Sequence, residues 1–228
     1  MNHSKMEMQY DQSGFAITSA VLQQNECATV VACLDAQQRG RAGARHLLNH
    51  EAVQSVANDP RLLAIATSFI GTPAIPFKAT LFDKSPHSNW LVTWHQDVAL
   101  PIRSRVDASG WGPWSVKGGQ LYAHAPAEVL EQVIALRLHL DDSTFENGPL
   151  RVLPGTHSLG RLPARRISEL AGEVPSVACT VPAGGVIAMR PLIIHASSKS
   201  RSSMPRRVLH IEYAPSLNLG SRIELAVA

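Results

Sequence analysis

Cysteine is scarce in this chain. Cys27, Cys33 and Cys179 are the only three, an odd number without a Cys-x-x-Cys spacing. That argues against a zinc ribbon or a disulfide framework, and the three read as buried, reduced thiols. Charge is thin as well: charged residues make up 17% of 228, with a formal net charge of +3. So small a surplus gives no argument for nucleic acid or a membrane surface as partner. No apolar run approaches membrane-spanning length. The start, Met1-Asn-His-Ser-Lys, continues into polar residues rather than the apolar core of a secretion signal, so a cytoplasmic protein is the expectation. There is no Gly-rich phosphate loop and no Gly-x-Ser-x-Gly elbow, and His50-Glu51 lacks the second histidine of a zinc protease.

What is present is a 45% share of hydrophobic residues, enough for a chain of this length to bury a substantial core. Residues 1–13 are polar and expected to be loose. From Asn25 to about Gln38, Cys27, Val30, Val31 and Leu34 recur at helical spacing, with Asn25 as N-cap and Gly40 as stop. His50 to Ala57 reads as a further helical piece. Asp59, Pro60 and Gly71 then punctuate a third helix as cap, first residue and terminator. After Pro73 the pattern changes to short strands between Pro, Gly and Asx turns. These fall at about Phe77–Asp83, Leu91–Asp97, Val133–Leu140, Leu150–Leu153, Val177–Val181, Val186–Met189, Ile193–Ala196 and Val208–Tyr213. No linker or repeat divides the chain. The expectation is one domain over 1–228, mainly β (α+β): a helical flank at 14–72 and a jelly-roll core at 73–215, that is, a cupin-like double-stranded β-helix.

Within that frame His95-Gln96-Asp97 carries the chemistry. Side chains two apart on a strand share a face, so His95 and Asp97 aim at one point while Gln96 turns away. His195 ends another apolar strand. Two imidazoles and a carboxylate hold three corners of an octahedral ferrous ion and leave three open. Arg206, eleven residues after His195, returns beside it on the next strand. Its guanidinium can grip the far carboxylate of 2-oxoglutarate bidentately, and Ser197, on the face of His195, can add a hydroxyl. Arg207 is an equally charged rival that spacing does not exclude.

The chain resembles the phytanoyl-CoA dioxygenase family of iron(II)/2-oxoglutarate-dependent oxygenases. The resemblance rests on Trp94-His-Gln-Asp97, on the run from Leu140 through Glu146-Asn-Gly-Pro-Leu-Arg-Val-Leu-Pro-Gly-Thr-His157, and on His195 with Arg206. It spans roughly Phe15 to Tyr213. It implies that His95, Asp97 and His195 bind iron, that Arg206 holds the cosubstrate's distal carboxylate, and that Gln96 lies near that cosubstrate. O2 would be the oxidant. The related halogenases lack the carboxylate, so Asp97 argues against halogenation. His157 belongs to the family's Pro-Gly-x-His turn and reads as structural. Asp141-Asp142 read as turn formers, because adjacent strand residues point oppositely.

The substrate is less constrained. Trp111 and Trp114 stand in an irregular stretch, 103–127, either as a lid over the cavity or as a staple of that stretch to the barrel. Arg137 and Arg151, on strands, are candidates to face inward toward an anionic substrate. The chain is short for its family, which favours a small free metabolite over an acyl-CoA, handled by a monomer or homodimer. Two other readings are a cupin-type metalloenzyme without 2-oxoglutarate, which gives Arg206 no task, and a silent jelly-roll binding module, which needs no intact triad.

Overall fold

The computed structural model describes residues 3–35, 43–86, 88–219 and 223–228, with residues 3–6 as backbone only. Its first element corrects the reading of a loose N-terminus: α1 spans His3–Ser13. One aromatic explains it, since Tyr10 is 1% exposed, with its ring centroid 4.1 Å from that of Phe69. A single anchor in a polar segment gives no periodicity to read. Helix α2, Gln24–Asp35, begins before Asn25. The Glu26 carboxylate accepts the Gln23 N–H at 2.6 Å, half of a capping box. The expected stop at Gly40 lies outside the described residues. Helices α3, Glu51–Ala57, and α4, Pro60–Ile70, follow. The latter has the punctuation its sequence announces: Asp59 accepts from the Arg61 N–H, and Gly71 ends the helix in the left-handed region at φ 82.

Thirteen strands are assigned among the described residues. The largest sheet joins β1 (Phe15–Thr18), β2 (Gly43–Arg45), β3 (Ile75–Lys84), β8 (Ile134–His139), β11 (Val186–Met189) and β13 (Arg206–Ala214) in the order β1-β11-β8-β13-β3-β2. A second sheet joins β4 (Val92–His95), β9 (Leu150–Val152), β10 (Val177–Cys179) and β12 (His195–Ser197) in the order β10-β9-β12-β4. Next to and within the stretch 103–127 that reads as irregular, β5 (Ala99–Pro101), β6 (Trp114–Lys117) and β7 (Gln120–His124) form a third sheet. Gly118 and Gly119, both at positive φ, make the tight turn between β6 and β7. The short helix α5 covers Ala127–Leu130, and α6, Ala164–Glu173, was not legible because only Ile167 and Leu170 bury its face. Of the cysteines, Cys27 and Cys179 are buried, whereas Cys33 is exposed, contrary to expectation.

What positions the site is an inversion of ordinary patterning on the large sheet. Along β13, Leu209, Ile211 and Tyr213 pack outward, with Leu136 and Leu138 of β8 and Leu81 of β3, into the core beneath α1–α4. The alternate residues Arg206, Val208, His210 and Glu212 therefore face the interior between the sheets. The register sets Arg206 opposite Lys84 and Glu212 opposite Lys78 on β3, and His210 opposite Arg137 on β8. The far end of that interior is closed by Phe15, Leu150, Val152, Ile187, Met189 and Ile193. A sheet whose helix-side face is apolar and whose inner face is charged encloses a polar cavity.

Candidate metal centre

Antiparallel pairing of β4 with β12 sets the Cα of His195 opposite that of His95, and the register shifts before Ser197 meets Val92. Such a bulge re-aims side chains locally. The ring centroids lie 4.2 Å apart. The Asp97 N–H donates to the Pro191 carbonyl at 2.9 Å, which pins the carboxylate beside both rings. His95 Nε2 stands 3.6 Å from one oxygen of Asp97 and His195 Nε2 3.4 Å from the other. One donor atom from each of the three lies within 4.8 Å of the rest.

The tautomers follow from the backbone. His95 Nδ1 bonds the Thr93 carbonyl at 2.8 Å, and His195 Nδ1 bonds the Ile193 carbonyl at 3.0 Å. A carbonyl only accepts, so each Nδ1 carries the hydrogen and each Nε2 presents a lone pair. Burial pushes His195 down to about 4, against the pull of Asp97. Burial alone would raise Asp97, but His195, His95 and His210 hold it well below the usual carboxylate range. Burial would lower His95, and its bond to Asp97 raises it instead. A neutral His195 beside an ionised Asp97 is the donor state a divalent metal needs. The residues fit a 2-His-1-carboxylate ferrous centre.

Beside the triad lies a cavity of about 70 Å³ whose lining includes Phe82, Lys84, Trp90, Arg137, Ser197 and Arg206. Arg206 is 3% exposed. Its Nε donates to the Asn147 carbonyl at 3.1 Å and its Nη2 to Ser197 Oγ at 3.3 Å. Among the described residues its Nη1 has no partner, and neither do Arg137 Nε and both ring nitrogens of His139. Lys84 Nζ donates to Ser197 Oγ at 2.8 Å and to the Ser198 carbonyl at 2.5 Å. Ser197 passes its own hydrogen to the Gly148 carbonyl at 2.8 Å. A side chain at Gly148, φ +67, would collide with the Ser198 carbonyl, so glycine is what lets this turn close on the site. Burial, reinforced by Arg137, lowers Arg206 to about 10. Burial, reinforced by Arg206 and Arg137, lowers Lys84 to about 8. Buried orphan donors and crowded cations call for an anion, and a dicarboxylate such as 2-oxoglutarate fits them.

The structure separates the two arginines. Arg207 faces away, its Nε 2.8 Å from Asp141 Oδ2 and its Nη1 3.2 Å from Asp35. Several other expectations are corrected. Gln96 is not beside the cavity: its amide donates to the Gly160 and Leu192 carbonyls and accepts from the Leu162 N–H, locking two loops, as strand alternation dictates. Trp111 and Trp114 pack, partly buried, on the core of the third sheet, and the cavity beside the triad is lined by other residues. Arg151 lies over the Trp94 ring, 5.0 Å from its centroid, on the face away from the triad's cavity. Arg137 does face inward. His157 bonds the Asp11 carbonyl at 3.2 Å, apart from the triad. Lys84 and Trp90 were missed. Lys84 falls one residue past the expected strand end at Asp83, and it shares the face of Lys78, Thr80 and Phe82.

Two opposed sheets around a His-Asp-His cluster define a jelly-roll protein with a facial-triad metal site. The family model for phytanoyl-CoA dioxygenase (PhyH) matches residues 10–208, and the chain belongs to that family. It is 29% identical over 180 residues to the L-proline trans-4-hydroxylase of Streptomyces griseoviridis. That match takes in 68% of this chain but 59% of the relative's length. Among solved structures, the epimerase SnoN from nogalamycin biosynthesis, in complex with Fe3+, alpha ketoglutarate and nogalamycin RO, superposes with a TM-score of 0.73 at 17% identity. That superposition covers 99% of this chain and 94% of SnoN. EctD from S. alaskensis, with 2-oxoglutarate and 5-hydroxyectoine, gives 0.70 at 18% identity over 94% of this chain and 76% of EctD. At such identities the superpositions establish the fold.

Proposed function

We propose that this chain is an iron(II)- and 2-oxoglutarate-dependent dioxygenase that hydroxylates an unactivated C–H of a small metabolite. The observation that carries the reading is the triad, with both Nε2 atoms turned toward the Asp97 carboxylate, beside a cavity lined by Lys84, Arg137 and Arg206. His95, Asp97 and His195 would hold the iron; Arg206, Lys84 and Ser197 would take the distal carboxylate of 2-oxoglutarate. When bound, the metal would let O2 act as the oxidant, with the keto acid giving up two electrons and leaving as succinate and CO2. Phe82 and Trp90 wall the cavity, and Ser197 accepts from both Lys84 and Arg206 until the dianion arrives. Family membership and the relatives that carry iron or 2-oxoglutarate support the reading, and a relative acting on L-proline supports a small substrate. Among the described residues no helix is long and apolar enough to cross a membrane. The reading is of a single-domain cytoplasmic enzyme, acting as monomer or homodimer.

Mixed anaerobically with iron(II) and 2-oxoglutarate, the protein is expected to develop a weak visible charge-transfer band. In air, with L-proline as the first candidate in a metabolite screen, it is expected to release succinate. No band would favour a cupin without 2-oxoglutarate or a silent module.

Lys84 gives this reading a pH signature. A group with its midpoint near 8 is half-deprotonated there, and a dianion placed beside it favours the charged form. Cosubstrate binding at pH 8 is therefore expected to take up protons, and at about pH 6 Lys84 contributes none. Calorimetric titrations in buffers of different ionisation enthalpy measure the uptake directly.

A further inference from the structure

We infer that the molecule oxidised at this site is itself an anion, and that Lys78, with Lys117 beside the same Tyr122 ring, receives its acidic group. The inference rests on the proposed function and adds the chemical class of substrate.

Charge balance leads to it. The interior holds four cations, Lys78, Lys84, Arg137 and Arg206, and two carboxylates, Asp97 and Glu212, among the described residues. Lys78 and Glu212 are paired at 2.7 Å. Ferrous iron adds two charges and Asp97 offsets one of them; the 2-oxoglutarate dianion then offsets two more. Two positive charges remain in the loaded barrel. Burying uncompensated charge is costly, so a neutral substrate leaves the loaded site poorly balanced, whereas an acid improves the balance.

Geometry says where the acid goes. Arg137 Nη1 lies 3.1 Å from His210 Nδ1, and His210 Nε2 lies 3.1 Å from Glu212 Oε1. A guanidinium only donates, so His210 is the acceptor at Nδ1 and the donor at Nε2. Glu212 thus takes one oxygen's worth of hydrogen bonds from His210 and Lys78 together, and the chain of groups is fixed. The Glu212 side chain is 3% exposed and that of Lys78 16%, which places Lys78 at the open end of the chain. There its ammonium stands 5.8 Å from the Tyr122 ring centroid, and that of Lys117 stands 5.1 Å from the same centroid. The phenol is steadied by His46 Nε2 at 3.0 Å. Lys117 forms no ion pair among the described residues, and Arg45 adds a third cation within electrostatic reach. Two ammonium groups close to one held ring, with a single buried carboxylate for the pair, make an anion cradle. Carboxylates and phosphate monoesters share the needed chemistry.

The test loads the full chain with zinc(II), which is redox-silent, and saturating 2-oxoglutarate. Saturation-transfer NMR then compares cyclohexanecarboxylate with cyclohexanecarboxamide, and glycerol 3-phosphate with glycerol. An anionic member is expected to bind in preference to its neutral twin, and whichever pair responds identifies carboxylate or phosphate. Lys117→Met is expected to weaken that anion by on the order of tenfold, the usual size for one lost charge contact. Lys78→Met leaves Glu212 unpaired and risks misfolding, so Lys78→Met/Glu212→Gln, which keeps the local charge balanced, serves beside it with the same expected loss. Neutral twins binding as well as the anions would overturn the inference, as would anion binding indifferent to both changes. The 2-oxoglutarate resonances in the same spectra report on the parent reading: their failure to respond would overturn that reading, and the charge count with it.

Discussion

Replacing His195 with alanine is expected to remove more than about 100-fold of the iron affinity and, with it, all 2-oxoglutarate turnover. Loss of an outer-shell partner already costs roughly 10–100-fold, and a donor of the triad itself counts for more. His195 is 3% exposed, and its Nδ1–H is spent on the Ile193 carbonyl, so its Nε2 serves nothing else in the barrel. A water molecule in the vacated space would be a poor substitute, because nothing there orients it as Ile193 orients the ring. Metal content after dialysis against a weak chelator measures the effect, and thermal unfolding of the metal-free proteins controls for folding. The metal-free variant should unfold at a somewhat lower temperature, since truncation empties buried volume and leaves the Ile193 carbonyl without its donor, and iron retention is compared below both transitions. Unchanged iron retention would remove His195 from the centre.

The triad was legible because its spacing is dictated by backbone geometry. Two residues apart on a strand means one face, and an apolar strand ending in a polar side chain places that side chain at a rim. The charged inner face of β8 could be read the same way, from Arg137 and His139 alternating with leucines. What escaped was set by register. Lys84 meets Arg206 only because β3 runs one residue further than its apolar pattern. The outward turn of Arg207 depends on Asp141 and Asp35, which are far from it in sequence. Gln96 shows the opposite failure. Alternation turned it away from the cavity, and the family resemblance argued it back; its bonds to Gly160, Leu162 and Leu192 follow the alternation. Helices α1 and α6 were hidden for a third reason. Each buries one or two side chains, too few to impose a period on the segment, and their stability comes from the surfaces they land on.

Arg206→Met is expected to move two measurements in opposite directions. The KM for 2-oxoglutarate should rise roughly 10²- to 10³-fold, the range in which loss of a buried charge partner falls. Iron affinity should change little, because no atom of Arg206 belongs to the triad. Stability of the ligand-free protein, by contrast, should hold or increase. Folding lowers this guanidinium to about 10 through burial and the nearby Arg137. A base whose proton is held less firmly in the folded state than in the unfolded chain subtracts from stability wherever it is charged, which here includes neutral pH. Among the described residues Nη1 has no partner to lose, and an apolar side chain of similar length can fill the same space, which offsets the loss of the bonds from Nε and Nη2 to Asn147 and Ser197. Arg206→Lys keeps the charge but not the fork, and should recover only part of the cosubstrate affinity. Arg207→Met supplies the contrast. It breaks the pairing with Asp141, so it should lower the unfolding temperature and leave the KM near that of the parent protein. If Arg207→Met weakened 2-oxoglutarate more than Arg206→Met, the anion anchor would lie on the outer face of β13, and the inward-facing cavity would lose its assigned ligand.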